Sequence, residues 1–80
     1  MNELVLFYRK TCGFCHKVLR FMENNEISLS LKDTGENLEF RQELIALTGK
    51  TQVPCLVING NPMHESDDII EWLKNEWSAK

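Results

Sequence analysis

The sequence has no run of lysines and arginines. Its nine basic residues are outnumbered by twelve acidic ones, and the net charge of -3 is spread along the chain. Nothing in it could neutralise a row of phosphates, so nucleic acid is not an expected partner. Repeats, low-complexity tracts and linkers are also missing, and the elements must therefore share one core. Met1 to Phe7 reaches apolar residues without the basic segment or long apolar stretch of an export signal, so a cytoplasmic protein is expected. The cysteines do not make an even set. Three of them fit a thiol site better than a disulfide framework. No second Cys-x-x-Cys and no His-x-x-x-His accompanies the pair at Cys12 and Cys15, which leaves only His16, Cys55 and His64 as further ligands and makes zinc an unexpected metal.

What remains is an ordinary globular composition, 42% hydrophobic and 26% charged over 80 residues, which fits neither a disordered tail nor a membrane span. The length predicts one domain over residues 1–80 with a small core. Leu4 to Tyr8 is an apolar run of strand length and reads as a central strand. Phe14, Val18, Phe21 and Met22 then fall at the spacing of an amphipathic helix that stops near Asn24-Asn25. Ile27, Leu29 and Leu31 alternate with Ser28, Ser30 and Lys32, predicting an edge strand with one face in the core and one polar face. Leu38, Leu44, Ile45 and Leu47 mark a second helix, closed by Gly49. Cys55 to Ile58 is a short apolar strand, and Asn59-Gly60 after it signals a tight hairpin with Met63-His64 as its return strand. Ser66 is suited to cap a third helix, Asp67 and Asp68 to its positive end, and Ile69, Ile70, Leu73 and Trp77 to its buried stripe. The predicted order is β-α-β-α-β-β-α, an α/β domain with a four-stranded mixed sheet and three helices. Pro54 cannot donate to a ladder and so belongs at the start of the third strand, where a turn or a cis bond is possible.

The chemistry concentrates at Cys12-Gly13-Phe14-Cys15, where the first strand gives way to the first helix. A sulfur at a helix start lies where unpaired N-H groups and the helix dipole favour a thiolate, and Arg9 and Lys10 add positive charge beside it. Two intervening residues place the second sulfur one turn along, where it can attack a mixed disulfide formed on the first. Cys12 is therefore the expected nucleophile and Cys15 the resolving thiol. Cys12 to His16 also reads Cys-x-x-Cys-His, a haem-attachment pattern, but covalent haem needs an exported chain and an axial partner, and His16 is better read as an exposed helix residue. A purely structural role for both cysteines suits an exposed strand-helix junction poorly.

These residues carry a resemblance. Phe7 to His16, with its basic residue and Cys-x-x-Cys, together with Thr48 to Pro54 and Ser66-Asp67-Asp68, resembles the glutaredoxins of the thioredoxin fold over nearly the whole chain. The resemblance implies a glutathione groove. Arg9 and Arg41 would contact the glycine carboxylate of glutathione, and Val53, before cis-Pro54, would pair its backbone with the cysteinyl residue as an added strand does. Ser66 and Asp67 would hold the γ-glutamyl group, Asp67 taking its ammonium. Gly13 and Phe14 stand where many glutaredoxins have proline and tyrosine, as in the branch that handles iron-sulfur clusters. His64 and Glu65 stand where many have two glycines, and Glu65-Ser66 resembles the start of the third helix in glutathione transferases. Cys55 is open to two readings, a third redox thiol or a small buried strand residue.

The implied activity is a glutathione-dependent thiol-disulfide oxidoreductase, a monomer acting on disulfide-containing or glutathionylated proteins, with glutathione as co-substrate, no metal and no membrane. Two rivals follow from the same resemblance. One is a dimer holding a [2Fe-2S] cluster between two Cys12 thiolates and two glutathiones. The other is a redoxin that donates electrons to one partner and is recharged by thioredoxin reductase.

Overall fold

A computed structural model of the chain describes residues 3–77, the last of these by its backbone alone. The strands are β1 (Leu4–Tyr8), β2 (Ser30–Asp33), β3 (Cys55–Ile58) and β4 (Asn61–Met63), and the helices α1 (Gly13–Asn24), α2 (Leu38–Thr48) and α3 (Ser66–Trp77). The order is the predicted one. The sheet runs β2-β1-β3-β4, with β1 parallel to β2 and antiparallel to β3, and β3 antiparallel to β4. This is the thioredoxin-like arrangement. None of the described helices is long and apolar enough to cross a membrane.

β1 is apolar throughout because both of its faces are covered. Leu6 packs with Val18 and Met22 of α1, Ile69 and Leu73 of α3, Ile27 and Leu56, whereas Phe7 packs with Leu44 of α2, Cys55 and Val57. Neighbouring residues of one strand thus serve two half-cores. The connections use the expected local chemistry. Asn37 caps α2 by accepting from the Glu39 N-H at 2.9 Å, and Gly49 closes it at φ 80°. Asn59 and Gly60 both have positive φ, 50° and 89°, as a two-residue hairpin of this hand requires. The Val53-Pro54 bond is cis.

Six expectations are corrected. Phe14 is 66% exposed and Leu31 46%, so neither joins the core. Phe14 sits in the first turn of α1 and lines a surface cleft, and Leu31 lies on β2, the edge strand of the sheet. Lys32, assigned to a polar face, lies under α2. There it pairs with Glu43 at 2.7 Å and stands 5.7 Å and 5.4 Å from the ring centroids of Phe7 and Phe40. β2 is also shorter than Ile27 to Lys32, and β4 covers Asn61–Met63 rather than Met63-His64. Ser66 is the first residue of α3 and not its cap. Trp77, expected at the end of the α3 stripe, has its side chain outside the described residues.

α2 buries a single side chain, Leu44. Its neighbours Ile45 and Leu47 remain 41% and 43% exposed. Leu44→Ala is expected to lower stability by about 2–5 kcal/mol, through lost transfer energy and the cavity left against Phe7 and Cys55. Ile45→Ala, which opens no cavity, is expected to change it by less than about 1 kcal/mol. Urea-unfolding midpoints of the two variants at equal slope check this.

Candidate functional site

Cys12 is set by the way β1 ends. Thr34, buried at the end of β2, bonds the carbonyl of Tyr8 through its N-H at 2.9 Å and its hydroxyl at 3.2 Å, fixing the chain just before Arg9. A tight turn follows, closed by Cys12 N-H to Arg9 C=O at 3.2 Å, and Cys12 becomes the N-cap of α1 with extended backbone. Its side chain makes no capping bond. The sulfur is half-buried and lies 3.7 Å from the carbonyl oxygen of Val53, beside the free N-H groups of the helix start, where negative charge is favoured.

Cys15 lies one turn along and has no exposure. Burial, and then its hydrogen bond to the Cys12 side chain, push its thiol up to about 12, against a hydrogen bond from the Arg9 backbone that acts in the opposite sense. The two sulfurs are therefore adjacent but unlike, one partly exposed at the helix start, the other covered and with its pKa raised. Cys55 is also fully buried, packed with Phe7, Leu44 and Val57, and burial raises its pKa. Of its two readings, the small strand residue is the one the packing supports.

Two clefts flank Cys12. One, of about 70 Å³, is lined by Arg9, Arg41, Thr34, Gly35 and Thr51. Arg9 comes from the turn after β1 and Arg41 from α2, and the Arg9 side chain passes beside Gly35, its Nε 3.5 Å from where a Cβ would stand there. The other cleft, of about 180 Å³, is lined by Phe14, Gln52, Val53, Pro54, His64, Glu65, Ser66 and Asp67. Thr51 borders the first and Gln52 the second, so the segment before Pro54 joins them into one strip passing Cys12. The cationic end and the α3 end are at its two extremities.

Of the eight residues singled out from the sequence, Arg9 and Arg41 line the first cleft and Val53, Pro54, Ser66 and Asp67 the second, Cys12 lies beside both through its bond to Arg9 and its approach to the Val53 carbonyl, and Cys15 is buried behind it. Ser66 is buried at 9% exposure. Asp67 is not free, because it forms an ion pair with Lys17 of α1. Sequence reasoning missed that pair, as well as Thr34, Gly35 and Gln52. Only the turn residues Asp33 to Gly35 gave a local signal, since Asp33 Oδ1 accepts from the Gly35 N-H at 2.8 Å. His64 lines the α3 end, with its Nδ1 buried and without a hydrogen-bond partner among the described residues. His16 is exposed and its Nε2 contacts the Lys10 carbonyl oxygen.

No group of three or more His, Cys, Asp or Glu side chains among the described residues is placed to hold a metal ion. For a [2Fe-2S] centre, which takes four ligands, one copy of this chain offers a single thiol that is not buried, Cys12. Its own residues do not complete such a ligand set.

The glutaredoxin family model matches residues 4–63. Glutaredoxin 3 of Escherichia coli strain K12 is 25% identical over 69 residues, covering 86% of this chain and 83% of that protein. Prostaglandin E synthase 2 of Danio rerio is 34% identical over 79 residues, 98% of this chain but 20% of the larger protein. Among solved structures, a buckwheat glutaredoxin-glutathione complex superposes with a TM-score of 0.69 at 22% identity, covering 96% of this chain and 71% of that one. A family model spanning most of the chain, on a fold that sets a Cys-x-x-Cys at a helix start beside a cis-proline, makes this chain a member of the glutaredoxin family.

Proposed function

We propose that the protein is a glutathione-dependent thiol-disulfide oxidoreductase that reduces protein-glutathione mixed disulfides and protein disulfides. The observation that carries this reading is the pairing of one reachable sulfur, Cys12, 3.7 Å from the Val53 carbonyl, with a strip that has two arginines at one end and a helix start with an acidic residue at the other. That layout matches a tripeptide with a carboxylate at its glycine end and an ammonium and carboxylate at its γ-glutamyl end.

In the reaction, the Cys12 thiolate attacks the glutathione sulfur of a mixed disulfide. The S-S bond breaks, the substrate's sulfur leaves as a thiolate and takes a proton, and a Cys12-glutathione disulfide remains. The backbone of Val53 aligns the cysteinyl residue, while Arg9 and Arg41 hold its glycine carboxylate. A second glutathione thiolate then attacks the bound glutathione sulfur and regenerates Cys12, leaving as glutathione disulfide. With a protein disulfide, Cys12 first forms a mixed disulfide with one substrate sulfur. Cys15 then gives up its proton and attacks the Cys12 sulfur, the substrate's sulfur leaves as a thiolate and takes a proton, and two glutathiones reduce the resulting Cys12-Cys15 disulfide, leaving as glutathione disulfide. Burial of Cys15, which raises its pKa, slows that second step and favours release by glutathione.

Cys12→Ser is expected to abolish reduction of a glutathione mixed disulfide, and Cys15→Ser to retain most of it, in steady-state assays with saturating glutathione. In native Cys12→Ser at pH 8, neither remaining thiol is expected to react with iodoacetamide within minutes, while both react once the chain is unfolded, where their pKa falls back to about 8.5. Equal loss of activity in the two variants would overturn the division of roles.

Arg41→Ala is expected to raise the half-saturating concentration of the mixed disulfide roughly ten- to hundredfold, as befits a charge-assisted hydrogen bond of about 1.5–3 kcal/mol. Asp67→Asn shifts it in the same direction. Neither side chain reaches the sulfur, so the rate of Cys12 alkylation by a small neutral reagent stays within about twofold of the unmodified protein, measured by mass spectrometry. Unchanged saturation in both variants would show that the strip is not a glutathione site.

A further inference from the structure

The carboxylate that the glutathione reading gives to the γ-glutamyl ammonium already holds an ammonium. Lys17, in the second turn of α1, pairs with Asp67, the second residue of α3, across the rim between two grooves. Asp67 lines the cleft with Val53 and Ser66, whereas Lys17 lines a neighbouring groove between α1 and α3 with Arg20, Phe21 and Ile70. The pair is exposed, 53% for the Lys17 side chain and 81% for Asp67, so it is screened by water, weak, and open to exchange of partners. Lys17 hangs on a flexible four-carbon stem and gives a compact cation of the same kind as a ligand's amino group.

We propose that Lys17 is a specificity-determining residue of this groove, an internal cation that occupies Asp67 until the γ-glutamyl ammonium displaces it. The inference rests on the glutathione reading of the strip. A ligand bearing the ammonium exchanges one ion pair for another, so it gains less from Asp67 than it would from an unoccupied carboxylate. A ligand lacking the ammonium leaves the Lys17-Asp67 pair in place. Lys17 therefore blunts the preference of the groove for a free amino group, and its return to Asp67 favours departure of the glutathionyl group after turnover.

The experiment compares two disulfides of 2-mercaptoethanol, one with glutathione and one with its deaminated analogue, glutaryl-cysteinylglycine. In single turnover each gives the Cys12 mixed disulfide and releases 2-mercaptoethanol, and the half-saturating concentration is read for each. The preference, the ratio of the deaminated to the ammonium-bearing value, should be about two- to fivefold larger in Lys17→Met than in the unmodified protein, the range expected of an exposed ion pair. Lys17→Arg, which keeps the cation, should retain the original ratio. In an Asp67→Asn background, Lys17→Met should leave the ratio unchanged, which separates competition for Asp67 from the general loss of a positive charge.

A ratio in Lys17→Met that stays the same or falls overturns the proposal, as does an equal rise in the Asp67→Asn background. If the unmodified protein shows no preference and Asp67→Asn alters neither value, the γ-glutamyl assignment of Asp67 itself fails and the proposal fails with it. If Asp67→Asn abolishes a real preference but Lys17→Met does nothing, the glutathione reading stands and only the role of Lys17 is lost.

Discussion

The rest of the molecule depends on β1 being buried on both faces. Leu6 and Phe7 have no exposure, and because successive side chains of a strand point to opposite sides, they tie α1 and α3 to one face and α2 to the other. A strand covered in this way must leave the core abruptly at its end. The turn from Arg9 to Cys12 makes that exit and α1 starts at once, so the first sulfur is left at the surface and the second, a turn later, is carried back into the interior. The contrast between the two cysteines is a result of this geometry and needs no special neighbour to produce it.

Charge is distributed along the strip in a way that complements the same exit. Arg9 lies on the turn itself, Arg41 on the helix that Phe7 holds through Leu44, and Asp67 on the helix that Leu6 holds through Ile69 and Leu73. Each half-core thus positions one end of the groove, and Cys12 lies where they meet. The Lys17-Asp67 pair links α1 to α3 at the surface, directly above the packing that joins those helices to Leu6.

Much of this was legible in the sequence because it is local. The Asn-Gly hairpin, the closing Gly49, the apolar run of β1 and the position of Pro54 each announce themselves within a few residues, and the cysteine pair adds its own spacing. Burial was read less well where it is set by distant neighbours. Leu31 continues an alternation begun at Ile27, yet β2 runs along the sheet edge, where little covers it. Lys32 carries a charge, yet its ammonium stands over the Phe7 and Phe40 rings and meets Glu43. Phe14 keeps helical spacing with Val18 but belongs to a first turn that faces the groove. The Lys17-Asp67 pair joins residues 50 positions apart, and no pattern in either segment alone foretells it.

The shallow attachment of α2 has a consequence for how the groove behaves in time. α1 sends Cys15, Val18 and Met22 into the interior, whereas α2 sends only Leu44. A helix held by one buried side chain opens to solvent at a lower free energy than its neighbours, so its amide hydrogens exchange through local unfolding while β1 and α1 still protect theirs. Arg41 travels with that helix. The Arg9-Arg41 end of the groove is therefore its least rigid part, and an anion seated between the two arginines would act as a clasp that slows the exchange of α2.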